Sequence, residues 1–186
     1  NDGTCAVCDA ICTHEWIGRE KICTVCGYDR SVQLAEENFN SALDNYFNGK
    51  DTEIDPVGPE ASLDRYKVTM PSERVTGLEY KLFNLRFENG QVILRHHFAV
   101  TGEIMLYTFT VNGESVTPVN YGNGICYFET VAEAGKLHVP DVITVKKGSE
   151  SVDFSVSVYS YIAIALEKST DEKVKNTMKA LYDYNE

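Results

Sequence analysis

The cysteine-rich N-terminal segment constrains this chain more than any other part of it. The segment CAVCDAICTHEWIGREKICTVC, which runs from Cys5 to Cys26, contains five of the six cysteines. A Cys-x-x-Cys pair occurs twice in it, as Cys5–Cys8 and as Cys23–Cys26. Each pair has the spacing of a zinc knuckle, a tight turn that brings two thiolates to one point. The segment therefore predicts a metal-binding unit.

Two sets of four ligands compete for the metal. The first set has three thiolates and one imidazole, from Cys12, His14, Cys23 and Cys26. Cys12 and His14 are separated by a single residue, so their side chains share a face of an extended chain. The second set has four thiolates, from Cys5, Cys8, Cys23 and Cys26, and the stretch Asp9–Ile22 separates its two pairs.

We favour the first set, because the recurrence of Cys-x-x-Cys suggests a repeating unit. In such a unit, a pair of ligands such as Cys12 and His14 is followed by a zinc knuckle such as Cys23–Cys26. Cys5 and Cys8 would then close a preceding repeat. In a third arrangement, two metals share all six residues. A site with four protein ligands has no open position for water, so the predicted zinc is structural and not catalytic. We expect Trp16 to cover the metal.

Disulfides and a redox dithiol are the competing interpretations of the cluster. Five cysteines cannot all pair with one another, and His14 would have no role in a disulfide unit. A redox Cys-x-x-Cys usually opens a helix in a βαβ unit, and no such pattern follows Cys26.

Charge and length exclude several classes of protein. The net charge of −11 argues against nucleic acid and against an anionic membrane surface as partners. No stretch approaches the roughly 20 apolar residues that span a bilayer, so we expect no membrane insertion. The 186 residues suffice for one ordinary domain and a small appendage. Because the chain begins at Asn1 and not at methionine, we expect it to be a piece of a longer protein.

The periodicity of apolar residues changes along the chain. Residues 31–49 have helical spacing, with Ser31 as the expected cap, and residues 50–63 are typical of a linker or long loop. Alternation of period two begins at about residue 64 with Tyr66, Val68 and Met70. Further strands are predicted at 78–87, 92–100, 107–111, 125–131, 142–146 and 152–158.

Two turns and one irregularity punctuate these strands. Asn89-Gly90 and Asn112-Gly113 are typical of hairpin turns. The alternating residues change phase between Leu82 and Phe83, which predicts a β-bulge. Seven or eight short strands with turns between them indicate an antiparallel β-sandwich.

The C-terminal stretch from Tyr159 onward predicts two helices. Residues 159–167 are apolar enough for a short buried helix, and residues 169–172 have the Ser-x-x-Glu pattern of a capping box before a second helix. The predicted fold is mainly β with flanking helices. Its parts are a zinc-binding unit at 1–30, a helix at 31–49, a linker at 50–63, and a β-sandwich with C-terminal helices at 64–186.

Three stretches carry a resemblance to a known family: FENGQVILRHHFAV, YTFTVNGESV and SVYSYIAIALEKSTDEKVKNTMKALYDYNE. They resemble a β-rich C-terminal module of large, mostly uncharacterised surface proteins from Gram-positive gut anaerobes. Short Cys/His repeats occur in such proteins, so the resemblance covers residues 78–186 and the cysteine segment. It implies an extracellular or cell-wall location and a non-catalytic role in adhesion or scaffolding. It implies no active-site residues.

Residues suited to catalysis are scattered. His96 shares its strand face with apolar residues and is predicted to be a hydrogen-bonded core histidine, whereas His97 on the opposite face is predicted to be exposed. Cys126 lies in a predicted strand, where a buried thiol is expected. None of the common catalytic or nucleotide-binding motifs is present, so we expect no enzyme.

The sequence thus favours a non-catalytic interaction module whose partner is a protein or a glycan. A carbohydrate-binding module is the alternative, with Tyr107, Tyr121 and Tyr127 as candidate sugar-binding residues. Tyrosines at strand spacing more often pack in a core or across strands. A glycan-processing enzyme is a weaker third hypothesis, and a close pair of carboxylates across a groove would mark it.

Overall fold

A computed structural model describes residues 22, 23, 29–68 and 74–186. These residues form two compact units. The helical unit comprises the described residues up to Gly58 together with 170–184 and Glu186, and the sandwich unit comprises those of 59–169 together with Asn185. None of the helices in the described part combines the length and the hydropathy that crossing a membrane requires.

The described chain contains three α-helices and eight strands. The helices are α1 Ser31–Phe47, α2 Val158–Lys168 and α3 Glu172–Asn185. The strands are β1 Leu78–Glu88, β2 Gln91–Val100, β3 Thr108–Val111, β4 Glu114–Val116, β5 Val119–Gly122, β6 Ile125–Ala132, β7 Asp141–Lys147 and β8 Glu150–Val156.

The strands form two four-stranded antiparallel sheets. The order in the first sheet is β1-β2-β6-β5, and the order in the second is β4-β3-β7-β8. The prediction of a mainly β fold with flanking helices is confirmed.

Asn-Gly turns set the register of both sheets. Asn89 and Asn112 have φ values of 51° and 52°, and each is followed by a glycine with positive φ. Two consecutive residues in this conformation match the twist of a two-residue hairpin. Both predicted hairpins are confirmed. The predicted bulge in β1 is also present, but it lies between Tyr80 and Leu82 and not between Leu82 and Phe83.

Aromatic side chains fill the space between the two sheets. The ring of Phe98 in β2 lies 5.3 Å from that of Phe109 in β3, and the ring of Tyr80 in β1 lies 4.9 Å from that of Phe154 in β8. Phe98 has no exposed surface. These contacts make the two sheets a sandwich with one aromatic core.

The helical unit pairs α1 with α3. Phe39 stacks on Tyr184 with ring centroids 5.3 Å apart. The Thr177 hydroxyl, which donates to the carbonyl of Lys173, lies 3.4 Å from the carbonyl oxygen of Ala42. Helix α3 also holds the segment that follows α1, because the backbone N–H groups of Val57 and Gly58 both donate to the carboxylate of Asp183.

The N-terminal caps of α1 and α3 differ from those predicted from the sequence. α1 begins at Ser31 with the Asp29 carboxylate accepting from the Ser31 backbone, so Asp29 acts where Ser31 was the expected cap. The capping box predicted at 169–172 is wrong. The N–H of Ser169 closes the last turn of α2 by donating to Ala165, and the Asp171 side chain caps α3.

The alternation predicted to begin at Tyr66 does not form a strand there. Residues Asp64–Tyr66 form a 3-10 turn, and the Tyr66 ring packs edge-on against Tyr159 of α2 at 5.1 Å. The apolar spacing of this stretch therefore serves packing against a helix. Met70, the last member of the predicted alternation, lies outside the described residues.

Candidate functional site

Most of the predicted zinc ligands lie outside the described residues. These are Cys5, Cys8, Cys12, His14 and Cys26. Cys23, which belongs to both ligand sets, is buried with 1% of its surface exposed. The preceding residue, Ile22, forms an isolated antiparallel bridge with Asp29. The zinc site stays a prediction.

His96 lies in the core of the sandwich between two hydroxyl groups. Its Nδ1 is 3.1 Å from the Tyr80 hydroxyl and its Nε2 is 3.2 Å from the Thr130 hydroxyl. Burial lowers the pKa of His96 to about 4, with a smaller contribution from the charge of His97. The predicted hydrogen-bonded core histidine is confirmed, and this ring is neutral at physiological pH.

His97 is half-buried, so the prediction that it is exposed is wrong. On the outer face of the first sheet it lies between its register partners Leu82 and Tyr127, and its ring is 5.8 Å from that of Tyr127. Its buried Nε2 makes no hydrogen bond with the part of the chain that the structure describes. Desolvation and then the charge of Arg95 lower its pKa.

Cys126 is an inert thiol. It is fully buried in β6, and burial raises its pKa to about 11. A thiol that stays protonated at neutral pH is a poor nucleophile. The predicted buried thiol is confirmed.

Tyr107 is not available to a ligand, which corrects its place among the candidate sugar-binding tyrosines. Its buried hydroxyl lies 3.0 Å from the carbonyl oxygen of Gly77 and 3.1 Å from that of Thr101. The same hydroxyl accepts from the Lys147 Nζ at 3.0 Å. Tyr107 therefore ties β3 to the chain segments that flank β1 and β2.

Replacing Tyr107 with phenylalanine should lower the free energy of unfolding by about 1–3 kcal/mol, because it leaves buried partners without their hydrogen bond. Thermal unfolding followed by circular dichroism measures this. Tyr121→Phe is the matched control, since the exposed Tyr121 makes no hydrogen bond through its hydroxyl to the described residues. The control should change stability by less than about 0.5 kcal/mol. Equal effects of the two variants would contradict the structural role of Tyr107.

The outer face of the first sheet carries the other two tyrosines. The guanidinium of Arg95 lies 4.3 Å from the ring centre of Tyr127, and the Tyr121 ring lies 6.1 Å from the same ring. Tyr121 has 74% of its surface exposed. We call this surface, formed by Arg95, Tyr121, Tyr127 and Glu129, the platform.

Charges on the platform compensate one another. The Glu129 carboxylate accepts from Arg86 and Arg95, each at 2.7 Å, and Arg86 also donates to the Glu88 carboxylate at 2.9 Å. Partial burial acts to raise the pKa of Glu129, but the hydrogen bonds from the two arginines outweigh it and lower the pKa. The face is thus aromatic and has no unpaired cation among these groups.

A cleft opens at one end of the same sheet, between the loop at 101–106 and the β5–β6 hairpin. Its volume is about 370 Å³. The lining residues are Val100, Gly102, Glu103, Ile104, Met105, Asn120, Gly122, Asn123, Gly124 and Ile125. Sequence reasoning missed this cleft. The only local signal was the density of glycine and asparagine at 120–124.

A second cavity, of about 200 Å³, lies at the opposite end of the sheet. Its polar side chains are already engaged. Asn112 donates to Asp141 and accepts from the Val142 N–H, and Lys136 pairs with Glu133. A ligand entering there would have to break contacts that the protein makes with itself.

No group of three or more His, Cys, Asp or Glu side chains suited to a metal ion occurs within the described ranges. Comparison of the chain with models of known families, with curated proteins and with solved structures found no match.

Proposed function

We propose that the chain is a non-catalytic interaction module of an extracellular or cell-surface protein, and that a structural zinc stabilises its N-terminal unit. The interaction role rests on the platform, where the exposed ring of Tyr121 and the ion pairs of Glu129 lie on the outer face of a sheet. Exposed aromatic and arginine side chains are enriched where proteins bind partners. The extracellular location rests on the family resemblance alone.

The chemistry of the other candidate groups supports a non-catalytic role. His96 is neutral and enclosed by two hydroxyls, and the Cys126 thiol is protonated. Neither group has the exposure that a base or a nucleophile needs. The zinc part of the proposal rests on the donor set, and the burial of Cys23 agrees with a thiolate in a closed site.

Capture of surface proteins and glycans by the intact chain tests the interaction role. Binding that is lost in Tyr127→Ala but kept in Tyr46→Ala, an exposed tyrosine of the helical unit, would support the platform. Equal capture by the two variants would remove the platform from the proposal. Turnover of a captured glycan would contradict the non-catalytic role.

Carbohydrate binding is the second candidate function, and the exposure of Tyr121 beside Tyr127 favours it. Aromatic rings bind the C–H faces of sugars, and an exposed ring can do so without rearrangement. We expect Tyr121→Ala to weaken binding on a glycan array, because it removes the exposed ring. Full retention of the array signal in this variant would exclude Tyr121 as a sugar-binding residue.

A further inference from the structure

We propose that the cleft between residues 101–106 and the β5–β6 hairpin binds a neutral sugar of one or two residues. This inference rests on the proposed function of a non-catalytic binding module and names a ligand class for it. It adds a site distinct from the platform, with its own residues, next to Tyr121.

Hydrogen-bonding groups in the cleft are free to meet a ligand. The carboxylate of Glu103 and the amide of Asn123 make no side-chain hydrogen bond with the described residues. Within the described part of the chain, Asn120 makes a side-chain hydrogen bond only through its Oδ1, which accepts from the Gly122 N–H at 2.9 Å. No described residue occupies its amide N–H groups. This is the opposite of the second cavity, whose polar side chains are engaged with one another.

The glycines of the cleft expose its backbone. Gly102, Gly122 and Gly124 all have positive φ. A Cβ at Gly124 would lie 2.7 Å from the carbonyl oxygen of Val100, so the hairpin can approach β2 this closely only with glycine there. The close approach fixes one wall of the cleft. Bare backbone at Gly102 and Gly122 leaves room for a ligand against the walls.

The donor set suits sugar hydroxyls. One carboxylate and two amides offer both acceptors and donors, and neighbouring hydroxyls of a sugar ring are donors and acceptors at once. Ile104, Ile125 and the exposed Met105 add apolar surface for the C–H groups of the ring. The volume of about 370 Å³ lies at the lower end of the roughly 300–1,000 Å³ of ligand pockets, which fits one or two sugar residues.

Charge decides between neutral and acidic sugars. Among the described residues, the only ionisable side chain that lines the cleft is that of Glu103, and the chain as a whole carries a net charge of −11. A uronic or sialic acid would bring its carboxylate close to that of Glu103 without a cation in this lining to compensate. The cleft therefore favours neutral sugars.

The test is a titration of the full, ¹⁵N-labelled chain followed by NMR. The probes are glucose, galactose, mannose, N-acetylglucosamine and their β-linked disaccharides, with glucuronic acid and N-acetylneuraminic acid as acidic counterparts. We expect at least one neutral probe to shift the amide signals of 101–106 and 120–125, with a Kd on the order of 1 mM. Acidic probes should leave these signals unchanged.

Two variants and two matched controls locate the site. Glu103→Ala should weaken binding roughly tenfold to a hundredfold, because it removes a charged acceptor. Glu114→Ala, at an exposed glutamate of β4, should leave the Kd unchanged. Asn123→Gly removes the side-chain amide and should also weaken binding. Because φ is 53° at this position, glycine keeps the backbone conformation. Its control, Asn89→Gly, makes the same change in the hairpin at the other end of β2.

Several outcomes would overturn the cleft site. The first is the absence of shifts at 101–106 and 120–125 with every neutral probe at about 50 mM, well above the expected Kd. The second is binding of the acidic probes in preference to the neutral ones. The third is a Kd that neither Glu103→Ala nor Asn123→Gly changes. Shifts confined to Tyr127 and Arg95 would overturn the cleft and leave the platform standing. Conversely, cleft binding accompanied by hydrolysis of a disaccharide would contradict the non-catalytic module and keep the sugar site.

Discussion

Removal of zinc should unfold the N-terminal unit at 1–30 while the sandwich unit keeps its own cooperative transition. Structural zinc in finger-like peptides contributes about 10–16 kcal/mol at neutral pH, far more than the few apolar residues of this segment could supply. The sandwich unit has an aromatic core of its own, centred on Phe98. Calorimetry with and without a chelator should show loss of one transition only.

Metal content should distinguish the two ligand sets. The intact chain should carry about one zinc per molecule, and Cys23→Ser should lose it under either set. Cys12→Ser should lose the metal and Cys5→Ser should keep it, because only Cys12 belongs to the favoured set. Cys126→Ala is the control, since that buried thiol lies in β6 of the sandwich unit.

Three results would contradict the favoured set. Loss of metal in Cys5→Ser with retention in Cys12→Ser would establish the four-thiolate site. Two zincs per chain would mean that all six residues bind metal. If the chain holds no metal and its mass is lowered by about two hydrogens for each pair of cysteines, the cysteines form disulfides and not a zinc site. Secreted proteins often contain disulfides.

Local patterns predicted the long strands and their turns because the same residues satisfy several constraints at once. In β2 the alternation of Leu94, His96 and Phe98 matches the pleat, and the Asn89-Gly90 turn supplies the positive φ that the hairpin requires. The bulge was visible because a change of phase in the apolar residues has few other causes. Strands β4 and β5, with three and four residues, are too short and too exposed for any period to show.

Features that depend on distant residues were not predictable. The apolar stripe of α3 indicated a helix, but nothing local indicated that Tyr184 would stack on Phe39 of α1. His97 points outward as its strand position requires, yet its partner Tyr127 on the neighbouring strand covers it. The cleft also depends on residues that are distant in the sequence, because its walls come from a loop and a hairpin that are separated by two strands.

Acidification should destabilise the sandwich unit before its carboxylates titrate. His96 is buried in its neutral form, with a pKa of about 4 against 6.5 for an unperturbed histidine. Between these two values the unfolded state binds a proton that the folded state does not, so stability falls as pH falls. At 1.36 kcal/mol per pKa unit, the loss between pH 7 and pH 4 is about 3 kcal/mol.

Between pH 6.5 and pH 5, the effect of the histidines on stability can be measured separately from that of the carboxylates. The carboxylates with lowered pKa, such as Glu129 and Glu150, start from an ordinary value of 4.5 and lose their contribution only at lower pH. His97, whose pKa is also lowered, acts in the same direction as His96. Hydrogen exchange of the β2 and β6 amides reports the opening of the sandwich unit itself, so loss of zinc ligands elsewhere in the chain does not interfere.

A double variant, Tyr80→Phe with His96→Leu, should reduce this pH dependence to the part that His97 contributes. His96→Leu alone would leave the buried Tyr80 hydroxyl without its partner, and the second change removes that hydroxyl. His138→Gln, at an exposed histidine of the same unit, should retain the steep dependence because His96 is intact. Equal protection of the β2 amides at pH 6.5 and pH 5 in the unaltered chain would mean that His96 gains a proton without opening the core, contrary to its burial between Tyr80 and Thr130.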